Sequence, residues 1–556
     1  MSILNKNLNK YLWFFTALLI TLLFVLPVSA IFYQSWKTDW QNIEDLWRTV
    51  LVDYTVNSLL LVLGTIGFAL FFALPSAWFV SNYQFKGQKA LQWLLCLPLA
   101  MPAYLVGYLY TEIFDYAGPV QIFLRNTFHW TNSQDYWFPA IRTLGGACFV
   151  LGLVLYPYIF LLVRLALWEQ GENLVQCAKV LGASPRKIFF KIIFPLIRPA
   201  IAVGCALVAM ETLGDFGTVS YFAIPTLTTA IYDTWLGYGD LGSASQISIL
   251  VLLMIFSLLF LERYSRRKQK TYQRGSEKKT SLQKLTGIKL VFALFFCWMV
   301  VGLAFIIPVG KLAYWAISDF QLSQIDRFSE YAYHSLSVSS IASIICVMFA
   351  LILHFTQRLS LQQSKTIQKI ARHNLQLSSL SYAIPGTVLA IGILIPYTAA
   401  DHQLHALLKW LELPTVGLVL SGSMAGLISA YVVRFSAMAI GSVETSMQKI
   451  TPSLDMASQT LGYNGRKMLC KVHFPLISKG ILTALLMVFI ESMKELNASL
   501  LLRPFNFDTL ATYVFAFTSD EQLEQAALPA LTLVLVGLIP VIWLTRSLMS
   551  NTQKDR

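Results

Sequence analysis

The sequence predicts an all-α polytopic membrane protein with about 12 transmembrane helices in two pseudo-symmetric six-helix halves. Three observations support this prediction: the apolar composition, a series of long apolar segments, and a polar segment that occurs twice. Of the 556 residues, 56% are hydrophobic and only 13% are charged, whereas an average soluble domain has roughly 25% charged residues. The composition therefore excludes an ordinary soluble protein.

The apolar segments are about 20 residues long, which is the length that a helix needs to cross a hydrocarbon layer of roughly 30 Å. Lys and Arg are concentrated in every second connection between these segments, whereas the other connections are richer in Asp and Glu. The positive-inside rule then places both termini in the cytoplasm. The predicted spans are 11–33, 54–80, 89–113, 141–165, 200–220, 244–262, 289–310, 334–356, 375–399, 415–440, 480–501 and 525–546.

A polar segment of the first half recurs in the second half. Leu181 to Ile201 reads LGASPRKIFFKIIFPLIRPAI and Leu461 to Ile481 reads LGYNGRKMLCKVHFPLISKGI, with ten of 21 positions identical and a shift of 462 − 182 = 280 residues. Such a repeat indicates two copies of one structural unit. We predict a first half over residues 1–262, a basic linker over 263–288 and a second half over 289–556.

Smaller matches extend the repeat beyond this segment. Asn57-Ser58 opens the second predicted span and His334-Ser335 opens the eighth, while Pro102 and Pro385 occupy equivalent places in the third and ninth spans. The linker between the halves is rich in Lys and Arg, so we expect it to be a solvated tether.

The repeated segment predicts a short helix, a turn and a second helix that runs into the membrane. Gly182 and Gly462 stand where a positive φ angle would end the first helix, and Pro195 and Pro475 stand where the membrane span would begin. The alternative is a duplicated basic surface helix without a partner.

This pattern resembles the EAA loop of ABC importer permeases, which reads Glu-Ala-Ala, three residues, Gly, nine residues and Ile-x-Leu-Pro. In that family the loop lies in the cytoplasm and docks on the ATPase subunit, so two copies imply two docking points. This chain departs from the pattern at Gln176 and Met456, where the family has Glu. The resemblance places coupling loops at about 169–199 and 444–479, with Gln176, Ala178, Gly182, Arg186 and Pro195 in the first and Met456, Ser458, Gly462, Arg466 and Pro475 in the second.

Two acidic pairs follow the repeated loops. Glu211 and Asp215 in the first half correspond to Glu491 and Glu495 in the second, again 280 residues later. The spacing of four residues predicts that each pair lies on one helix face. An acid within a span costs roughly 2.5 kcal/mol or more and usually faces a cavity, so the four acids are candidates for a passage and for transient metal contacts. The alternative is that each acid pairs with a basic residue or lies near the outer interface.

Other charged groups are less informative. Asp401, His402 and His405 form a D-H-x-x-H group, which we interpret as part of an exposed outer loop, with a metal-relay role as the alternative. Arg164 and Arg434 occur late in their predicted spans, so we expect them to extend to the inner membrane interface.

The chain lacks the motifs of several enzyme classes. It contains no G-x-x-x-x-G-K-[ST] segment for ATP phosphates, no H-E-x-x-H, no nucleophile elbow and no paired C-x-x-C. We therefore predict a permease without enzymatic activity of its own. Any ATP that drives it would be used by a separate ATPase chain.

Two stretches resemble a narrower group, the fused permeases of bacterial ferric-iron ABC importers. They are Glu211 to Asp240, ETLGDFGTVSYFAIPTLTTAIYDTWLGYGD, and Met493 to Leu531, MKELNASLLLRPFNFDTLATYVFAFTSDEQLEQAALPAL. The resemblance implies a type I ABC importer fold in the bacterial inner membrane. It also implies Fe(III) as the transported substrate, a periplasmic ferric-binding protein, two copies of one ATPase and no permanently bound cofactor or nucleic acid.

Carboxylates suit a hard cation such as Fe(III), because oxygen ligands match hard metals. They do not identify iron by themselves. A related permease for thiamine, polyamine or phosphonate therefore stays open, as does a proton-driven secondary transporter in which the same acids relay protons.

Overall fold

The computed structural model describes residues 2–168, 177–178, 180–266, 283–318, 324–361, 363–414, 417–463 and 466–554. Within these ranges the chain is almost entirely helical, and strands β1 (Tyr83–Gln84) and β2 (Gln283–Lys284) form one short parallel pairing. Most of the predicted linker, residues 267–282, lies outside the described residues.

The helices up to the linker include the predicted spans of the first half and several shorter segments between them. They are α1 (Ser2–Lys37), α2 (Gln41–Leu46), α3 (Val52–Asn82), α4 (Gln88–Leu94), α5 (Ala103–Phe114), α6 (Pro119–Phe128), α7 (Leu144–Trp168), α8 (Pro185–Ile188), α9 (Phe194–Gly214), α10 (Gly217–Tyr221), α11 (Leu227–Tyr232) and α12 (Leu241–Arg266).

The helices after the linker follow a similar order. They are α13 (Ile288–Val301), α14 (Ile307–Ser318), α15 (Gln324–Ser360), α16 (Lys365–Ser379), α17 (Gly386–Trp410), α18 (Met424–Met447), α19 (Pro452–Thr460), α20 (Arg466–Met468), α21 (Phe474–Met493), α22 (Asn497–Leu502), α23 (Leu510–Ser519) and α24 (Ala527–Lys554). Wider π-helical turns continue some of them without a break, as Phe189–Ile193 does between α8 and α9 and Leu469–His473 between α20 and α21.

The number of membrane spans agrees with the prediction when bent helices are counted as single spans. By length and composition, ten helices of the described residues could cross a membrane, and twelve could if two bent pairs each make one span. The bends are 95° between Gln88–Ala100 and Ala103–Phe128, and 118° between Lys365–Ala383 and Gly386–Trp410. They occur at Pro102 and Pro385, whose extended backbone starts a new helix after each bend. The third and ninth predicted spans are therefore broken at equivalent prolines.

The residues group into two compact units that do not follow the order of the sequence. Unit A contains Met1–Asp45, Ile231–Leu250 and Gln321–Tyr513, and unit B contains Leu46–Ala230, Val251–Phe320 and Val514–Arg556. Unit A thus consists mainly of the second half but includes α1, the first helix of the first half. Unit B consists mainly of the first half but includes α13, the first helix of the second half. The predicted halves, 1–262 and 289–556, describe the sequence repeat and stay a prediction.

In unit A, α1 packs against α15, α16 and α17. The Trp13 ring meets the edge of Phe355 at 4.9 Å between centroids, and Thr356 donates a hydrogen bond of 3.2 Å to the carbonyl of Trp13. Gly392 allows the closest approach, because a Cβ atom there would lie 2.6 Å from the Pro27 carbonyl oxygen. The helix at the start of the chain is therefore closely fitted to helices of the second half.

In unit B, the first helices after the linker pack against helices of the first half. Phe296 of α13 contacts Phe71 of α3 at 5.9 Å between ring centroids, and the Tyr110 hydroxyl donates a hydrogen bond of 2.5 Å to the Leu303 carbonyl. The last helix, α24, joins this group, since Gly537 lies against Ala100.

The two units repeat the same side-chain contacts. Ser58 accepts a hydrogen bond of 3.0 Å from the backbone N–H of Leu227, and Ser335 accepts one of 2.7 Å from Leu510. The preceding side chains also match, because Asn57 bonds to the Pro225 carbonyl at 3.2 Å and a His334 ring nitrogen lies 3.1 Å from the Asp508 carbonyl. These contacts confirm that the weak Asn57 and His334 match marks equivalent positions.

Candidate functional site

Each acidic pair lies where a long helix ends and a short one begins. α9 ends at Gly214 and is followed by α10, while α21 ends at Met493 and is followed by α22. Asp215 has an extended backbone with φ −70° and ψ 129°. The prediction that each pair lies on one face of a continuous helix is therefore wrong, because the helix stops between the two acids.

Asp215 caps the short helix α10. Its Oδ1 atom accepts hydrogen bonds from the backbone N–H groups of Thr218 at 3.0 Å and Val219 at 3.2 Å, and its Oδ2 atom accepts one from the Thr218 hydroxyl at 3.0 Å. A carboxylate at this place satisfies N–H groups that lack a partner within the helix. In addition, the Thr228 hydroxyl donates to the Asp215 carbonyl at 2.8 Å.

Glu495 occupies the same place in the second half and has an additional cationic partner. Its Oε1 atom accepts a hydrogen bond of 3.0 Å from the backbone N–H of Ala498, which corresponds to Thr218, and lies 3.2 Å from Nη1 of Arg434. Both side chains of this ion pair are buried, with 10% exposure for Arg434 and 6% for Glu495. The pair joins the middle of α18 to the break between α21 and α22.

The start of α17 lies directly against this ion pair. A Cβ atom at Gly386 would lie 2.5 Å from both Arg434 Nη1 and Glu495 Oε1. Glycine is thus required where the bend after Pro385 brings the backbone to the charged groups. Three helix ends meet around one buried ion pair in unit A.

The other two acids lie in the last turns of their helices. Glu491 bonds to Lys494 at 2.9 Å, with side-chain exposures of 31% and 13%, and Glu211 is half-buried in the last turn of α9. Among the described residues, no three His, Cys, Asp or Glu side chains are grouped closely enough to hold a metal ion. Any contact of Glu211, Asp215, Glu491 and Glu495 with Fe(III) is therefore not a preformed metal site of that kind.

Arg434 and Arg164 are both buried among other residues of the protein, whereas side chains that extend to a membrane interface would be exposed at a helix end. Arg434 lies near the middle of α18, because the helix begins nine residues later and ends seven residues later than the predicted span 415–440. Arg164 is 2% exposed and donates to the carbonyl of Gln92 at 3.1 Å while its guanidinium stacks on Trp168 at 4.1 Å. A predicted span that began at Met424 would have placed Arg434 in the middle of the helix, where a buried arginine needs an acidic partner.

The two repeated loops have the same backbone geometry. Gly182 has φ +76° and Gly462 has φ +80°, both in the left-handed region that ends a helix. Each glycine is preceded by a leucine that is largely exposed, at 86% for Leu181 and 75% for Leu461. The loops therefore present apolar side chains outward at the turn.

The remaining loop residues divide into buried and exposed positions. Ala178 and Ser458 are buried, whereas Met456 is 62% exposed. Arg186 is exposed near the start of α8, and Arg466 begins α20. Pro195 and Pro475 are exposed in the first turns of α9 and α21, where a missing N–H costs little. Gln176 lies outside the described residues.

The D-H-x-x-H group lies within helix α17, so the expectation of an exposed outer loop is wrong. Asp401 lies within α17 and accepts backbone hydrogen bonds of 3.1, 2.9 and 2.9 Å from Val419, Leu420 and Ser421. The Ser421 hydroxyl adds a fourth bond of 2.6 Å. Asp401 thus fixes the connection to α18, while His402 and His405 are exposed.

A duplicated set of membrane-spanning helices, with acids at equivalent helix breaks and two matching loops, defines the class of polytopic transport proteins. The family model of the binding-protein-dependent transport system inner membrane component matches residues 65–271. The Fe(3+)-transport system permease protein FbpB 2 of Haemophilus influenzae is 27% identical over 512 residues, which cover 91% of this chain and 92% of that protein.

Two further relatives show how the match extends along the chain. The ferric transport system permease protein FbpB of Actinobacillus pleuropneumoniae is 23% identical over 560 residues, covering 95% of this chain and 76% of the relative. The molybdenum transport system permease protein ModB of Escherichia coli is 31% identical over 223 residues, covering 39% of this chain and 92% of the relative. The chain belongs to the family of binding-protein-dependent transport system inner membrane components.

Proposed function

We propose that the chain is the permease of an ATP-driven importer that moves ferric iron into the cytoplasm by alternating access. A periplasmic ferric-binding protein delivers the iron, and two copies of a separate ATPase subunit bind the two loops from the cytoplasm, where both termini also lie. The observation that carries this proposal is the matching geometry of the two loops. Gly182 and Gly462 have nearly equal φ angles of +76° and +80°, and each loop continues through a π-helical turn into a membrane span.

The loops suit ATPase docking because they are exposed and apolar at the turn. Leu181 and Leu461 are the exposed residues next to the two glycines, and Met456 adds an exposed thioether to the second loop. Exposed apolar groups rimmed by basic side chains are typical of a protein interface. A continuous helix from each loop into the membrane would pass motion of the ATPase to α9 and α21.

The choice of ferric iron rests on the extent of the similarity. The relatives named as Fe(3+) or ferric transport permeases align with 91% and 95% of this chain, whereas the molybdenum permease aligns with 39%. Molybdenum transport is the second candidate function, because that shorter match has the higher identity of 31%.

The acids at the helix breaks are the proposed contacts for iron on its way through the protein. Glu211, Asp215, Glu491 and Glu495 supply oxygen ligands, which suit a hard cation. Weak contacts favour passage over retention, because an ion must leave a binding site as readily as it enters. The helix caps formed by Asp215 and Glu495, and the ion pair of Glu495 with Arg434, fit brief contacts better than a deep metal site.

Uptake into sealed vesicles tests the proposal. The vesicles contain this chain, its ATPase and its binding protein, and the substrates are radiolabelled ferric iron and molybdate. We expect ATP-dependent uptake of iron but not of molybdate. Uptake of molybdate alone would show that molybdate, and not iron, is the substrate. Iron uptake that needs a proton gradient but no ATPase would overturn the proposal that the chain belongs to an ATP-driven importer.

A double substitution, Gly182→Val with Gly462→Val, tests the loops in the same vesicles. Valine at a positive φ is strained, so we expect ATP-dependent uptake to fall to background while the chain stays in the membrane. The matched control is Gly67→Val, since Gly67 is exposed in α3 and a Cβ atom there meets nothing within 4 Å. Full uptake by the double variant would exclude the loops as coupling elements.

A further inference from the structure

The second loop is attached to the membrane helices by a group of three polar side chains, which we call the loop triad: Arg358, Asp455 and His473. Asp455 lies in α19, one residue before Met456, whereas Arg358 belongs to the last turn of α15 and His473 immediately precedes α21. All three belong to unit A. Asp455 Oδ2 lies 2.5 Å from Arg358 Nε, and Asp455 Oδ1 lies 2.8 Å from His473 Nε2.

Arg358 also holds the turn between α18 and α19. Its Nη1 atom donates to the Met447 carbonyl at 3.1 Å, and its Nη2 atom donates to the carbonyls of Ile450 at 2.7 Å and Thr451 at 3.2 Å. Carbonyls at the end of a helix lack partners within it, and a guanidinium is well suited to satisfy them. One side chain thus joins the end of α15 to the loop in four hydrogen bonds.

His473 brings the third element into contact with the same acid. Its side chain is fully buried, and its ring meets the edge of Phe355 at 5.6 Å between centroids. Because Asp455 accepts from both partners, α15, α19 and α21 are joined at one carboxylate. Breaking such a buried pair leaves a charge without its partner, which is costly.

The acid of the second loop faces inward instead of outward. Asp455 is 8% exposed, whereas Met456, at the place of the Glu in the EAA pattern, is 62% exposed. The carboxylate is therefore directed to the permease's own helices. Its partners leave it little freedom to contact an ATPase.

The contacts of the first loop that the described residues show at the equivalent places are apolar. The residues 280 positions before Asp455 and His473 are Val175 and Ile193, and Ser81 corresponds to Arg358 in the register that aligns Ser58 with Ser335. Ile193 is buried, and Trp78 of α3 contacts the edge of Phe189 at 5.2 Å between ring centroids. Val175 lies outside the described residues. Within the described residues, two loops with the same turn at glycine thus differ in the side chains that contact the membrane helices.

We propose that Asp455 is a positioning residue that transmits movement of the second loop to α15 and α21, and that the two loops of this permease are coupled by different chemistry. The inference rests on the proposed function of the loops in ATPase coupling. A change in the charge of one residue should uncouple the second loop, while the first loop has Val175 and Ile193 at the positions that correspond to Asp455 and His473.

The test compares Asp455→Asn with a control at an exposed acid, Asp520→Asn, in the complete vesicle system described above. Asparagine keeps the size of the side chain but removes the charge that faces Arg358. We expect the ATPase subunits to stay bound and ATP hydrolysis to continue, while iron imported per ATP hydrolysed falls about five-fold or more, the lower range of a typical coupling between sites. The control should keep the native ratio.

A second variant keeps the inference testable if Asp455→Asn fails to assemble. The triple change Arg358→Ser, Asp455→Val and His473→Ile gives the second loop the residues of the first, so we expect it to assemble and to recover at least half of the native ratio. A native ratio in an assembled Asp455→Asn complex would overturn the inference. A triple variant that assembles but imports as little iron per ATP as Asp455→Asn would also overturn the inference. Asp455 would then act on something other than Arg358 and His473.

Hydrogen exchange separates this inference from the proposed function. In Asp455→Asn, the backbone amides of residues 453–463 should exchange faster, whereas those of 186–193 in the first loop should not change. If the native protein imports no iron but Asp455→Asn still exchanges faster at these residues, Asp455 anchors the second loop and the proposed substrate is rejected. Unchanged exchange would reject the anchoring role itself.

Discussion

At the scale of single residues, the two halves use equivalent acids in different ways. Asp215 and Glu495 both accept a hydrogen bond from the backbone N–H three residues later, so each caps a short helix. Only Glu495 is also bonded to a buried arginine, Arg434. The same position in the repeat is therefore a helix cap in unit B, and a helix cap that is also paired with an arginine in unit A.

This difference predicts unequal effects of removing charge from the second acidic pair. Glu495→Gln removes the carboxylate that faces Arg434 in a buried site, so we expect a loss of about 3 kcal/mol in the free energy of unfolding. Glu491→Gln removes a half-exposed contact with Lys494, so the loss should be about 1 kcal/mol or less. Denaturant unfolding in detergent measures both, and equal losses would contradict the role assigned to the buried pair.

The acids themselves could be predicted from the sequence, but their geometry could not. An acid in an apolar segment is conspicuous, and the 280-residue shift identifies its counterpart. The helix break between Glu491 and Glu495 is accompanied by contacts between residues far apart in sequence, such as the ion pair with Arg434 and the close approach of Gly386. Periodicity alone predicts a continuous helix there, because no proline or glycine interrupts the sequence between Glu491 and Glu495.

At the scale of elements, short connections are held by single side chains with several hydrogen bonds. Asp401 accepts four bonds from the segment before α18, and Arg358 donates three to the carbonyls between α18 and α19. Such contacts join residues far apart in sequence. The sequence therefore predicts the turn at each loop glycine, which is a local property, but not the side chain that fixes the turn.

Asp401→Ala should loosen the connection between α17 and α18. The change removes the acceptor of three backbone N–H groups and a hydroxyl, so we expect a loss of about 1 to 3 kcal/mol and faster hydrogen exchange at residues 419–421. His402→Ala and His405→Ala should leave both stability and iron uptake at the native level. Loss of uptake in the histidine variants, with native stability, would restore the metal-relay interpretation.

At the scale of the whole molecule, the sequence repeat and the compact units divide the chain differently. The repeat was visible in the sequence because it depends on residue identity. The exchange of first helices was not, because the long apolar stretches of α1 and α13 give no indication of which partner they contact.

The exchange predicts how the chain behaves when it is cut. Two pieces, residues 1–274 and 275–556, should form a stable complex when they are made together, because each supplies helices to both units. Either piece made alone should be unstable, since unit A would lack α1 and unit B would lack α13, α14 and α24. Co-purification and thermal melting measure this outcome, and a single piece as stable as the uncut chain would contradict it.

The position of α1 also sets a requirement on biosynthesis. Its main packing partners begin at Gln324, so the ribosome must make 323 − 37 = 286 further residues after Lys37 before the first of them starts. At roughly 5 to 20 residues per second, this takes about 15 to 60 s. During that time the face of α1 that later fits Gly392 and Phe355 is without its native neighbours in the bilayer. Lipid, or a membrane chaperone, must cover it until the second half arrives.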